Sequence, residues 1–395
     1  MTHVLVVGGG IAGVAAALAA RDAGADVTLV RASAGATELG TGALDDAPWE
    51  DARAPVAVDA LARSVLDRLG GYAVGPERAL VATTGATLRG ARGVDAALLD
   101  LAALPHGAKI GVPVFEREGW DGRLVARGLE ADPLGRARSL TFVPAPASIA
   151  TLADERVVPD VEIAARHDDP ARLSTLAARL RDAKAEVDAW LLPPWLGVAA
   201  PRAAELAKLV GIPCGEVITL PPSPAGARFS RARDRALATA KVSVVLDRVE
   251  AIEREASLVV ARLEEGEPIA ASAAVIAIGG LVAGGVAYAP SEALLATALP
   301  RHPRPAFVLG LDADVSLGVG GHPLVVPGSM FGVQPESIAW PMHAAPVLEH
   351  VGVLVDGELR AGEGVWAAGD VVADRPRTFL EALASGARAG RAAAG

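Results

Sequence analysis

Between Val4 and Arg31 the chain reads VLVVGGGIAGVAAALAARDAGADVTLVR, and no other stretch restricts the fold as much. Val4–Val7 is a short apolar run of the kind buried on both faces of a parallel sheet. Gly8, Gly10 and Gly13 follow in Gly-x-Gly-x-x-Gly spacing, with Ile11 and Ala12 inside the motif. The alanine-rich run 11–23 predicts a helix, closed by Gly24, and Val27–Val30 predicts a second strand. The three glycines have separate tasks: a tight turn, close approach of backbone to a pyrophosphate, and close helix–strand packing. The helix start then offers free N–H groups and a positive dipole end to an anion. Strand before and helix after are the context that makes this common pattern specific for a dinucleotide. Arg31 stands where such units place an acid for the ribose. An arginine there is compatible with a 2′-phosphate, with stacking on adenine, with a solvated side chain, or with a ligand that lacks the AMP half. Glu38 is the nearest acid downstream.

Composition narrows the alternatives. A net charge of −10 over 395 residues argues against nucleic-acid binding, which needs a basic face. One cysteine, Cys214, excludes an intramolecular disulfide, a CxxC pair and a self-contained iron–sulfur site; it reads as a small buried hydrophobe. No cluster of residue types suggests a metal site. The first residues lack the basic flank of a signal peptide. The uncharged stretch Ala271–Ala289 approaches the length of a membrane span, but four glycines break it, so it predicts a buried strand and a loop. A cytoplasmic chain without a membrane span is expected.

The texture changes near residue 107. AKIGVPVF predicts a new strand, PARLSTLAARLRDAKAEVDAWLL an amphipathic helix started by Asp169-Pro170, and PRAAELAKLVG a second helix closed by Gly211. Residues 107–235 are therefore expected to form an inserted α/β domain. The nucleotide domain is discontinuous: 1–106, 236–285 and 346–395. The stretch from Lys241 to Gly280 predicts an antiparallel meander returning to a buried strand. Residues 286–345, rich in glycine and proline, predict a loop-rich segment lining a pocket. The fold class is α/β, a Rossmann-like FAD/NAD(P)-binding fold with a second α/β domain inserted.

Near the other end, GVWAAGDVV (Gly364–Val372) places Gly369-Asp370 at the end of a strand. It resembles the second flavin motif of the glutathione-reductase-type FAD proteins, in which the aspartate binds the ribityl chain and the next helix points its N-terminus at the cofactor. The competing reading of Asp370 is a helix-capping acid. AAVIAIGG (Ala273–Gly280) resembles the glycine-ended strand of the same proteins, with Gly279 near the cofactor.

A closer resemblance spans most of the chain. LVRASAGATELGTGALDD (Leu29–Asp46), TLRG (Thr87–Gly90), AKIGVPVF (Ala108–Phe115), TLPPSPAGARFSRARDRAL (Thr219–Leu237) and AVIAIGGLVAGG (Ala274–Gly285) occur in order. Together they look like the B-subunit family of the anaerobic glycerol-3-phosphate dehydrogenases. The resemblance implies a flavin, FAD with FMN as the alternative. It also implies oxidation of sn-glycerol 3-phosphate, a phosphorylated polyol, to dihydroxyacetone phosphate, with electrons passed to a quinone. A second flavin subunit and an iron–sulfur subunit would be partners, and membrane association would come through a partner. In that family the acid at position 31 is also absent. Arg228 matches the motif arginine and is a candidate phosphate clamp, with a solvated helix face as the competing reading; Arg89 of TLRG is a second candidate, or a residue of a surface loop; Arg231, Arg233 and Arg235 read as a solvated helix face. Thr41, Gly42 and Asp45 lie in the loop that approaches the flavin ring in related proteins, and also read as a polar turn. His322 and His343 are candidate bases for the alcohol proton. A stand-alone flavin oxidase or dehydrogenase and a redox-silent structural subunit are the alternative functions.

Overall fold

A computed structural model describes residues 2–33, 35–45, 58–183, 185–288, 307–323 and 350–395. The chain divides into two compact units, one of residues 1–37, 56–68 and 233–395 and one of 38–55 and 69–232.

The first unit is built on a six-stranded sheet. In spatial order its strands are Ser243–Leu246, Asp26–Arg31, His3–Val7, Ala273–Ile276, Val365–Ala367 and Arg360–Gly362. All neighbours are parallel except the last pair, a hairpin. His3–Val7 has neighbours on both sides, and Val4, Leu5, Val6 and Val7 are buried, as its unbroken apolar run predicts. The helix Ile11–Asp22 and the C-terminal helix Phe379–Ala393 pack on each other. Thr378 caps the latter, its hydroxyl accepting from the Glu381 N–H, in the Thr-x-x-Glu pattern of a capping box. In a smaller sheet, Ile269–Ala271, Leu258–Leu263 and Val249–Glu255 form the expected antiparallel meander, and Asp312–Ala313 adds a parallel edge. Leu5, Val7, Ile276, Val259 and Val371 belong to one apolar core that joins the two sheets. The described part of the uncharged stretch resolves into the strand Ala273–Ile276, a glycine loop and the strand Val286–Tyr288. No helix among the described residues is long and apolar enough to cross a membrane.

The second unit carries its own parallel sheet, ordered Thr141–Pro146, Lys109–Val114, Ala189–Leu192 and Cys214–Glu216. Beside it lies an antiparallel sheet of Ala43–Leu44, Leu88–Asp95 and Tyr72–Ala82. This unit begins earlier than residue 107. The hairpin 72–95 joins it through a parallel bridge Thr83–Ile218, and the chain just after it through Leu98–Glu216. Its strand LRGARGVD carries arginines and glycines in place of a clean alternation, so its sequence does not announce a strand. The amphipathic run from Pro170 also ends sooner than its periodicity suggests. The helix stops at Asp182, and Ala189–Leu192 is a fully buried strand, because a short apolar run fits either element by pattern alone.

Candidate nucleotide site

The site forms around the first glycine turn. Gly8 has φ +121°, and its N–H donates to the Val30 carbonyl at 2.8 Å. A Cβ on Gly8 would overlap the Ala277 carbonyl, and one on Gly13 would overlap the Gly8 carbonyl. Gly10 differs: among the described residues a Cβ there would meet only the Thr37 hydroxyl, at 3.4 Å. Gly35 and Thr37 pack against Gly10 at the start of the helix, where Ile11, Ala12 and Gly13 form the first turn. The Ile11 N–H donates to Thr37 Oγ1 at 3.0 Å. Thr37 escapes a motif search because it lies in a loop of small residues; its signal is a hydroxyl shortly after the second strand of a nucleotide unit.

The far end of the chain returns to this turn. Gly369 has φ +75°, its N–H donates to Ser385 Oγ at 3.0 Å, and a Cβ on it would lie 2.7 Å from the Ala12 Cβ. Only glycine combines that backbone conformation with that approach. Asp370, half-buried, follows in the 3-10 turn Gly369–Val371. It does not cap the C-terminal helix, whose cap is Thr378. Gly279, at φ +82°, and Gly280 close the third side: a Cβ on Gly280 would lie 2.6 Å from the Asp370 carbonyl oxygen and 2.9 Å from Arg377 Nη1. Gly8–Gly13, Gly279–Gly280 and Gly369–Asp370 are thus brought together in this unit, at the ends of neighbouring strands.

Arg31 ends the second strand with its stem across Gly9: a Cβ on Gly9 would lie 2.7 Å from its Cδ. Its guanidinium reaches Asp234 Oδ1 at 3.7 Å, and its Nε is buried without a hydrogen-bond partner among the described residues. Arg233, expected on a solvated face, is buried instead. It donates to the Gly9 carbonyl at 3.3 Å and to Asp234 Oδ1 at 2.8 Å.

In the second unit Arg228 is also buried, and its expected role as a phosphate clamp is corrected. Its guanidinium donates to Asp95 at 2.9 Å, to Glu216 at 2.8 Å and to the Gly197 carbonyl. One cation faces two buried carboxylates, so burial pushes Glu216 up to about 7 despite the attraction of Arg228. The rest of the proline-rich turn is likewise structural. Ser223 donates to the Gly40 carbonyl at 2.6 Å and accepts from the Gly226 N–H, while Gly226 lies where a Cβ would overlap the Glu38 carbonyl. Gly42, at φ +91°, accepts from the Asp95 N–H at 2.7 Å, and the Thr41 hydroxyl accepts from the Ala43 N–H at 3.4 Å, as in a polar turn. Arg89 is half-buried in the strand Leu88–Asp95, opposite Val81. Cys214 is buried, its thiol pushed up to about 12 by burial. In the first unit His322 is exposed on a two-residue strand rather than enclosed in a pocket; His343 lies outside the described residues. No group of metal-binding side chains occurs among the described residues.

With this geometry in view, one family match covers the turn. Residues 3–65 match the model of the glucose inhibited division protein A family. No curated protein matches the chain. Among solved structures, it is similar to the GidA-related protein from Thermus thermophilus, at 11% identity over 98% of this chain and 95% of that one, with a TM-score of 0.32. It is similar to a 3-ketosteroid delta1-dehydrogenase from Sterolibacterium denitrificans, at 12% identity over the whole of both chains, with a TM-score of 0.38. It is also similar to a ferredoxin-flavin thioredoxin reductase from Clostridium acetobutylicum, at 10% identity over 99% and 96%, with a TM-score of 0.31. Likenesses this distant say nothing of a shared substrate. The fold itself rests on the parallel sheet and the glycine turn of the first unit.

Proposed function

We propose that the chain is a flavin-dependent oxidoreductase that holds FAD in its first unit, and that it works as the B-type flavin subunit of an anaerobic glycerol-3-phosphate dehydrogenase. The observation that supports the flavin reading is the approach of Gly369 to Ala12, which brings Asp370, in this reading the ribityl ligand, beside the glycine turn although the two lie at opposite ends of the sequence. The N-terminal family match agrees with it. In this reading the glycine turn and the N–H groups of Ala12 and Gly13, after the Ile11 N–H that Thr37 takes, receive the pyrophosphate, Asp370 accepts from the ribityl hydroxyls, and Gly279–Gly280 let the backbone approach the ring. Bound flavin supplies a two-electron acceptor for hydride.

The finer reading, glycerol 3-phosphate and a quinone-linked complex, rests on the ordered sequence resemblance. With Arg228 committed to Asp95 and Glu216, the substrate phosphate needs another cation, and Arg89 is the remaining candidate. With one cysteine, electrons leave through partners: a second flavin subunit and an iron–sulfur subunit. The test has two parts. The purified chain should be yellow, with flavin bands near ~370 and ~450 nm, and acid extraction should release FAD rather than FMN. It should reduce dye with glycerol 3-phosphate poorly alone and well with the co-expressed partners. A colourless chain that takes up neither flavin overturns the flavin reading; rapid quinone reduction by the isolated chain favours the stand-alone enzyme.

A further inference from the structure

We infer that Asp234 is the carboxylate that binds the adenosine ribose, supplied by a helix in place of the acid missing from position 31. This rests on the reading of the first unit as an FAD site. The end of the second strand carries Arg31, but the space beside it is not simply basic. Asp234, from the helix Pro224–Thr239, is held there by two guanidinium groups: Arg233 at 2.8 Å and Arg31 at 3.7 Å. Both cations are tied to the glycine turn, Arg233 by its contact with the Gly9 carbonyl and Arg31 by its stem across Gly9. They thus fix the carboxylate relative to the backbone that faces the pyrophosphate. Both ion pairs fall on Oδ1, and the Asp234 side chain is 53% exposed. It can therefore meet a ligand, unlike Arg233, which is buried.

Chemistry selects the ligand. A carboxylate takes two O–H donors from a 2′,3′-diol, the role an acid plays at the end of this strand in other dinucleotide units. A 2′-phosphate would bring two negative charges to the exposed face of Asp234, and the nearer of the two cations is already paired with it. The same geometry argues for a ligand that has an adenosine half, hence FAD and not FMN.

The experiment titrates apoprotein with FAD, FMN, 5′-ADP and 2′,5′-ADP, in wild type, Asp234→Ala and Arg31→Ala. A hydrogen bond to a charged group is worth about 1.5–3 kcal/mol, so Asp234→Ala should weaken FAD and 5′-ADP by about tenfold or more and leave FMN unchanged. Arg31→Ala should weaken the same two ligands less, because Arg233 still holds the carboxylate. Equal FAD affinity in wild type and Asp234→Ala, or equal loss for FAD and FMN, overturns the inference. So does tighter binding of 2′,5′-ADP than of 5′-ADP by wild type, which would assign Arg31 to a 2′-phosphate. If wild type takes up no flavin, the FAD reading falls while 5′-ADP, which carries the same diol, still decides the role of Asp234.

Discussion

His167 and Glu216 lie buried in the second unit with opposite responses to pH. The His167 ring donates from Nδ1 to the Trp195 carbonyl at 3.0 Å, and burial lowers it to about 4 from its ordinary value. A group with a depressed folded value holds fewer protons in the native state between about 4 and 6.5, so its contribution to stability is lost as pH falls through that window. Glu216, raised from its ordinary value to about 7, acts the other way: its contribution to stability is lost as pH rises from about 4.5 to about 7. The contribution of His167 is therefore read by difference: His167→Gln keeps a donor for the Trp195 carbonyl and should remove roughly 2–4 kcal/mol of acid-side loss between pH 6.5 and 4, measured by urea unfolding of both proteins. Parallel pH curves would mean that the imidazole already titrates normally. Arg228 permits a sharper test. Removing one partner of a buried ion pair costs about 3–5 kcal/mol, so Arg228→Ala should lower the denaturation midpoint of the second unit substantially. A phosphate clamp would instead leave stability intact and raise KM. The motif containing Arg228 was visible in the sequence, but its role was not, because only the fold shows that Asp95 and Glu216 arrive from two other strands.

At the scale of elements, the C-terminal helix is fitted to the first helix by Gly386 and Gly390, four residues apart. A Cβ on either would overlap the backbone carbonyl of Ala12 or Ala16. Even alanine must separate the helices, so Gly386→Ala and Gly390→Ala should each cost about 1–3 kcal/mol, the usual range for overpacking a tight contact. Gly357→Ala is the control: it has ordinary backbone geometry and nothing within 4 Å of its Cβ, and its Tm should not move. Thermal melts of the three variants decide the point. The elements of this unit were legible because local signals agreed with one another: apolar strands, an alanine-rich helix, Gly24 with φ +89° just past that helix, and the Thr378–Glu381 cap. The hairpin 72–95 was not legible, since its strands carry arginine and glycine where alternation was needed. Nor was the pairing of Gly352–Val353 with Leu317–Val319; the sequence GVLVDGELR suggests instead a local hairpin, whereas the observed partner lies well upstream.

For the molecule as a whole, the first unit is assembled from the two ends of the chain and a short middle piece, and its candidate site exists only once those ends have met. The order of the sheet explains why. The strand leading to Gly8 has the strand leading to Gly279 as its neighbour, and that strand in turn pairs with the one leading to Gly369. Three parallel strands therefore deliver three glycine loops at their carboxyl ends, the edge where open α/β sheets bind ligands. Glu38 belongs to the other unit, in the turn Ala36–Leu39, with its carbonyl against Gly226. If the cofactor is held by the convergence of the three loops, Asp370→Ala should reduce flavin occupancy of the purified protein several-fold, whereas Glu38→Ala should leave it close to wild type. Far-UV circular dichroism would verify that both variants are folded, and the ratio of flavin to protein absorbance would report occupancy. Equal occupancy in wild type and Asp370→Ala would remove the aspartate from the site. Preferential loss in Glu38→Ala would move the ribose contact to the loop after the second strand and away from Asp234.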